Sequence, residues 1–215
     1  MTLQLYGHPF SSYTWKALIP FYETGTPFEF RNISGDQHPE NEAAFLAHWQ
    51  VGKFPLLVDD GVPVMESSII VEYVAPGLIP ADKDAAHEVR MLDRIFDSHV
   101  MTPAQAVVAE HLPFLTPKPD EARVVRAREA LGKVYRWLDA RLAGRVWAAG
   151  DYFTLADCAA APSLFYADWV HEIPASLATL RAYRAHVLAR PSVARCVEEA
   201  RPYRHYFPLG APDRD

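Results

Sequence analysis

Gly52-Lys53-Phe54-Pro55-Leu56-Leu57-Val58-Asp59-Asp60-Gly61-Val62-Pro63-Val64 is the stretch whose reading decides the fold. Leu56-Leu57-Val58 is a short apolar strand, Asp60-Gly61 is a turn dipeptide, and Val62 to Val64 returns, which makes a hairpin. Pro63 has no amide hydrogen to give to a ladder, so the returning strand belongs at a sheet edge. Downstream, Ser67 to Val74 reads as a helix closed by Pro76-Gly77.

Upstream, Leu3-Gln4-Leu5-Tyr6 is short and apolar, and Gly7-His8-Pro9 breaks it before a helix-compatible run from Ser11 to Thr24 that stops at Gly25. Pro20 lies inside that run and predicts a kink or an early end. Phe28, Phe30 and Ile33 predict a second strand, close enough behind the helix to complete a βαβ unit. A polar loop from Ser34 to Glu42 and a short helix near Ala43 to Trp49 lead into the hairpin. Residues 1–75 therefore read β-α-β-α-β-β-α, the order of an α/β thioredoxin-like domain.

From Pro76 to Asp84 the composition turns to Pro, Gly and Asp, so residues 76–84 read as a linker and 85–215 as a separate all-helical domain. Val89, Leu92, Phe96 and Val100 repeat at helical spacing, as do Leu131, Val134, Tyr135, Leu138 and Leu142; two long helices each offer an apolar stripe. Pro103 predicts a bend in the first, and Pro113 to Pro119 the connection between them. Thr154-Leu155-Ala156-Asp157 before an apolar run is a capping box, Pro162 predicts an interruption eight residues on, and Pro191 suits the first turn of a last helix.

Among the 215 residues, 50% are apolar, enough for a proper core, and only two are cysteine, Cys158 and Cys196, which suggests neither a disulfide framework nor a thiolate metal site. The net charge of −6, with no basic stripe, argues against nucleic acid. The first twenty residues have neither a leader pattern nor a membrane span, so a cytoplasmic location is expected. No two histidines stand at helical i, i+4 spacing, and Gly-x-Ser-x-Gly, Gly-x-Gly-x-x-Gly and Cys-x-x-Cys do not occur, which disfavours metal and triad chemistry.

The layout resembles that of the cytosolic glutathione transferases along essentially the whole chain. Gly52 to Gly61 looks like the family's run through its cis-proline, and Glu66-Ser67-Ser68-Ile69-Ile70 like its Glu/Gln-Ser-x-Ala-Ile helix start. Phe153 to Asp157 is similar to its capping box, and Arg190-Pro191-Ser192-Val193-Ala194-Arg195 to its last helix. Ser11-Ser12-Tyr13-Thr14-Trp15-Lys16 resembles the serine-type subgroups, zeta-like and theta-like above all. Trp49-Gln50 departs from a common Asn-Pro pair, and Phe54 from the commoner valine or leucine.

The resemblance implies an enzyme with glutathione as co-substrate, a small electrophile as second substrate, no metal, and a homodimer. It implies that Ser67 and Glu66 take the γ-glutamyl end, because unpaired amides and the dipole at a helix start favour an anion and a carboxylate can meet the amine. The backbone of Phe54, before Pro55, would pair with the cysteinyl part like an added strand. Lys53, with Gln37 or His38, would hold the glycyl carboxylate. Ser11 would donate to the sulfur, with Ser12 and Tyr6 as the alternatives. A hydrogen bond to a charged group gives roughly 1.5–3 kcal/mol and a helix N-terminus about 0.3–1 more, together one to three pKa units at about 1.4 kcal/mol each. His99 and Met101 are candidates for the second-substrate pocket. The tail from Arg201 to Pro208 is too aromatic for a free end, and its two prolines predict an extended segment, with Tyr206 or Phe207 walling the electrophile. The rival functions are a glutathione-binding carrier with little turnover and a glutathione-dependent peroxidase or isomerase.

Overall fold

Four short strands and nine α-helices follow one another in the computed structural model, which describes residues 3–34 and 37–215. Strand β1 (Leu3–Gly7) leads to α1 (Ser12–Thr24), β2 (Glu29–Asn32), α2 (Pro39–His48), β3 (Leu56–Asp59), β4 (Val62–Met65) and α3 (Ser67–Val74). The sheet order is β2-β1-β3-β4; β1 pairs parallel with β2 and antiparallel with β3, as the βαβ unit and the hairpin require. Pro63 stands in β4 at the edge, where its missing amide hydrogen leaves no ladder bond unmade.

A single 3-10 turn (Pro76–Leu78) precedes α4 (Lys83–Ile95), whose first turn is capped by Asp82, its Oδ1 accepting from the Ala85 amide at 2.9 Å. The helix widens to a π segment over Phe96–Met101 and resumes as α5 (Thr102–Glu110) with Pro103 in its opening turn. A wider turn just upstream is one way to accommodate a residue that cannot donate its own backbone bond, and it stands where the bend was expected. Then come α6 (Glu121–Arg141), α7 (Leu155–Val170), α8 (Ala178–Leu188) and α9 (Pro191–Ala200).

Neither interior proline ends its helix, and the interruption expected at Pro162 does not occur. Helix α1 runs through Pro20 to Gly25, whose φ of +66° ends it in the left-handed cap that glycine allows, and α7 runs through Pro162 without interruption. An interior proline costs a helix about 3 kcal/mol or more. Here both prolines are buried, and α1 and α7 pack together, with Trp15 against Phe165 at 4.9 Å between ring centres. All sixteen residues of α7 are buried, so packing on every side outweighs the local loss. Asp157 fixes its start: the carboxylate accepts from Thr154 N at 2.9 Å, Ala148 N at 2.8 Å and the Tyr183 hydroxyl at 2.6 Å.

Candidate active site

The loop between β1 and α1 is held from several directions before it delivers Ser11. Gly7 closes against α1: a Cβ there would stand 2.6 Å from Thr14 Oγ1, so only glycine allows the approach. The Ser11 amide donates to His8 O at 2.9 Å, and the Phe10 amide to His8 Nδ1 at 3.1 Å. Burial lowers the pKa of His8, which keeps the imidazole neutral and leaves Nδ1 as the acceptor that this bond needs. Trp15 Nε1 donates to Pro9 O at 2.6 Å, and the Tyr166 hydroxyl, from α7, to Phe10 O at 2.8 Å.

Ser11 is the N-cap of α1, with extended backbone, and its Oγ accepts from the Thr14 amide at 3.3 Å. That leaves the hydroxyl hydrogen to donate elsewhere. Ser12 is buried as the first residue of α1, and Tyr6 is only 3% exposed, packed with Phe45, Leu56 and Val58 beneath α2. The Tyr6 hydroxyl donates to Gln4 Oε1 at 3.4 Å.

A cavity of about 300 Å³ gathers five of the residues singled out by sequence: Lys53, Phe54, Pro55, Glu66 and Ser67. The Phe54–Pro55 bond is cis. Glu66, at the N-cap of α3, has φ +70°, a conformation rare for a non-glycine residue and one that tends to cluster at functional sites. The same cavity takes in Tyr13, two residues beyond Ser11, and Trp49, while Arg94, Asp97, Ser98 and Thr102 close it from the helical part. Ser11 itself is not among its lining residues.

Other expected site residues lie elsewhere. Met101 is 2% exposed and belongs to the core, and His99 is exposed; neither lines this cavity, which Ser98 and Thr102 do. Neither Gln37 nor His38 lines the cavity; His38 precedes α2 and its Nδ1 lies 3.7 Å from Glu40 Oε1. The tail is a 3-10 helix over Arg201–Tyr206 and not an extended strand, because proline in a first turn costs no bond. Phe207 is buried edge-on against Trp169, at 5.2 Å, and Tyr206 lies edge-on to His8 at 5.8 Å. Neither lines the cavity, but Tyr203 and Tyr206 both touch the loop that carries Ser11, the former 5.1 Å from His8.

A buried charge cluster backs the cavity. Lys16, fully buried in α1, has Nζ 2.7 Å from Asp97 Oδ2 and 2.9 Å from Ser68 Oγ, with a close ion contact of 2.5 Å to Asp93 Oδ1. Arg94 adds contacts of 2.9 Å to Asp93 and 2.5 Å to Asp97. Burial raises the pKa of Asp97, while Lys16 and Arg94 pull it down and Asp93 pushes it up. Tyr13 is pushed up to about 12 by burial first, then by Asp97, with Arg94 opposing, so it presents a neutral O–H. Tyr13 belonged to the quoted serine motif without a role of its own; Arg94 and Asp97 carried no sequence signal beyond their i, i+3 spacing.

A thioredoxin-like sheet with a serine-capped first helix, a cis-proline strand and a helical second part defines a recognisable class of thiol-handling proteins. Residues 1–76 match the family described as "Glutathione S-transferase, N-terminal domain" and residues 100–191 that described as "Glutathione S-transferase, C-terminal domain". The chain is 34% identical over 165 residues to glutathione S-transferase 3 of Zea mays, covering 72% of this chain and 73% of that protein. It is similar in structure to glutathione transferase F7 of Populus trichocarpa, with a TM-score of 0.80 and 23% identity over 92% of this chain and 99% of that one. It is also similar to a glutathione S-transferase-I bound with lactoylglutathione, with a TM-score of 0.77 and 22% identity over 93% of this chain and 100% of that one. The chain belongs to the glutathione S-transferase family. These matches reach the family, and not the zeta-like or theta-like subgroup that the serine motif suggested.

Proposed function

We propose that this protein is a serine-type glutathione transferase that binds glutathione in the cavity between residues 53–67 and the π segment and adds its sulfur to a small, mostly apolar electrophile. The observation that carries the reading is the convergence of Lys53, Phe54, Pro55, Glu66 and Ser67 on one cavity beside the Ser11 helix. The residues fit the tripeptide's charges. Ser67 offers a hydroxyl and the first amides of α3 to the γ-glutamyl carboxylate, and Glu66 meets the amine. The Phe54 backbone pairs with the cysteinyl unit, and Lys53 answers the glycyl carboxylate.

When bound, glutathione supplies a thiolate that forms a carbon–sulfur bond while the leaving group departs with its electron pair, or that adds to an activated double bond. Ser11 holds that charge. Its oxygen already accepts from the Thr14 amide, which polarises the hydroxyl, and the hydrogen that remains is donated to sulfur. The α1 N-terminus adds its dipole. Arg94 brings a cation to the cavity wall, and Tyr13, with the Thr102 side of the helical part, faces the second substrate.

The chain divides for this purpose into a glutathione-binding domain over 1–75, a linker over 76–84 and a helical domain over 85–215. Ile69 and Tyr73 on α3 and Met91 on α4 are exposed apolar side chains on the two helices expected to meet a second copy, which supports a homodimer. No helix among the described residues is long and apolar enough to cross a membrane; a cytosolic location is part of the proposal. Calorimetric titration with glutathione, followed by conjugation assays over a panel of electrophiles, tests the reading. Ser11→Ala should keep glutathione binding and lose conjugation; absence of glutathione binding to the native chain refutes it.

A further inference from the structure

Every backbone polar group from Pro9 to Ser11 has a partner among the described residues. The Trp15 indole donates to Pro9 O, the Tyr166 hydroxyl to Phe10 O, the Trp15 amide to Ser11 O at 3.0 Å, and the Ser11 amide to His8 O. None of these bonds depends on pH near neutrality: the indole and the amides do not ionise there, and burial raises Tyr166 well above its ordinary value. The Phe10 amide is different, because its acceptor is His8 Nδ1 at 3.1 Å. An imidazole nitrogen accepts only while it carries no proton, and in imidazolium both nitrogens are donors. One titratable bond therefore stands one residue before Ser11.

The surroundings of His8 offer an imidazolium nothing to pair with. The half-buried ring lies edge-on to Tyr203 at 5.1 Å and to Tyr206 at 5.8 Å between ring centres, so the tail presents phenol rings to it. Arg204, between those two tyrosines, pairs with Asp215 and lies over Trp169, and exposed His205 packs on Tyr206 with its Nδ1 2.9 Å from Pro202 O. From α1 the neighbour of the adjoining Gly7 is the Thr14 side chain, which does not titrate. Burial alone holds His8 below its ordinary value of 6.5; no charged group among the described residues contributes. Protonation would thus leave a half-buried cation unpaired and set one donor, the Phe10 amide, against another.

We propose that His8 is a positioning residue for Ser11 and makes conjugation proton-gated: the neutral ring holds the Phe10 amide, and through it the Ser11 hydroxyl, while the protonated ring releases both. The inference rests on the transferase reading of the site. It adds a second proton, bound by the protein, to the one that leaves the glutathione thiol. The gate is open at neutral pH and closes on acidification. Glutathione binding survives closure, because Lys53, Phe54, Glu66 and Ser67 belong to another segment.

The test is kcat for conjugation of glutathione to 1-chloro-2,4-dinitrobenzene with both substrates saturating, followed from about pH 8 down to about pH 4.5. In the native chain the acid limb of log kcat against pH should approach a slope of two, one proton on sulfur and one on His8. His8→Phe keeps a ring between the tyrosines and has no acceptor; at neutral pH its kcat should fall about three- to tenfold, the loss of one neutral hydrogen bond, with glutathione KM little changed. His8→Asn places an amide oxygen where Nδ1 stands, so it should recover that loss and show a slope of one. Independently of turnover, the Phe10 amide resonance in a nitrogen-15 spectrum of the full chain should move with the midpoint of the His8 ring protons, and stay still over that range in His8→Asn. A native slope of one with normal conjugation, a slope of two that survives in His8→Asn, native kcat in His8→Phe, or a Phe10 resonance indifferent to His8 would overturn the gate and leave the transferase reading standing. A native chain that conjugates nothing overturns the transferase reading and the gate with it.

Discussion

Replacing Lys16 with Met probes the seam between the two parts of the molecule. Lys16 is fully buried, and its ammonium is shared by Asp97 at 2.7 Å, Asp93 at 2.5 Å and Ser68 at 2.9 Å, which come from α3, α4 and the π segment. Methionine nearly conserves volume, so the packing term is small. What changes is charge: two buried carboxylates keep only Arg94, whose side chain is 56% exposed and so neutralises them less well. Removing one partner of a buried pair costs about 3–5 kcal/mol. In a chain of this size that is on the order of 6–20 °C of Tm.

The pH dependence has a definite sign. Burial already lifts Asp97 above its ordinary range, and Lys16 is the strongest influence holding it down. In Lys16→Met its folded-state pKa rises further, so the folded variant binds a proton more tightly than the unfolded chain. A group raised in this way stabilises below its unfolded pKa, and the contribution is lost as pH rises through the folded value. Urea unfolding at pH 8 and at pH 5 should therefore show a larger deficit at pH 8. A loss below about 1 kcal/mol at pH 8, or a deficit that grows on acidification, refutes the reasoning.

Ser67→Ala removes a hydroxyl expected to meet a carboxylate, a bond worth about 1.5–3 kcal/mol, and should weaken glutathione about 10- to 150-fold in a calorimetric titration without lowering Tm. Tyr166→Phe frees the Phe10 carbonyl that its hydroxyl holds at 2.8 Å; conjugation kcat should drop several-fold with glutathione KM little changed, because the loop before Ser11 loosens while the cavity does not. Asp157→Ala strips acceptors from Thr154, Ala148 and Tyr183, and loss of the cap plus a stranded buried hydroxyl should cost about 2–4 kcal/mol by urea unfolding. Ile69→Glu on the exposed face of α3 should halve the mass seen by light scattering if that face meets a second copy.

Much of the fold was legible because its signals are local. The Asp60-Gly61 turn, the edge proline Pro63, the Ser67–Val74 helix and the Thr154/Asp157 cap each depend on residues within a few positions of one another. Pro162 misled for the same reason: its cost is local, whereas the burial on every side of α7 that offsets it comes from elements distant in sequence. The site divides along the same line. The half of the cavity on residues 53–67 was readable from one continuous motif. Arg94, Asp97, Ser98 and Thr102 reach the cavity only because Lys16 and Ser68 draw α4 and the π segment against α1 and α3, a juxtaposition spanning 81 residues between Lys16 and Asp97. Met101, at the end of the π segment, is buried in the core, which its sequence neighbourhood did not reveal.

The most direct test of the account is the ionisation of glutathione on the protein, followed by ultraviolet absorbance of the bound thiolate across a pH series. With the native chain the thiol should titrate about one to three units below its value in water, and Ser11→Ala should bind glutathione yet return the titration to the aqueous value. A bound thiol that titrates in Ser11→Ala as it does in the native chain would contradict the account.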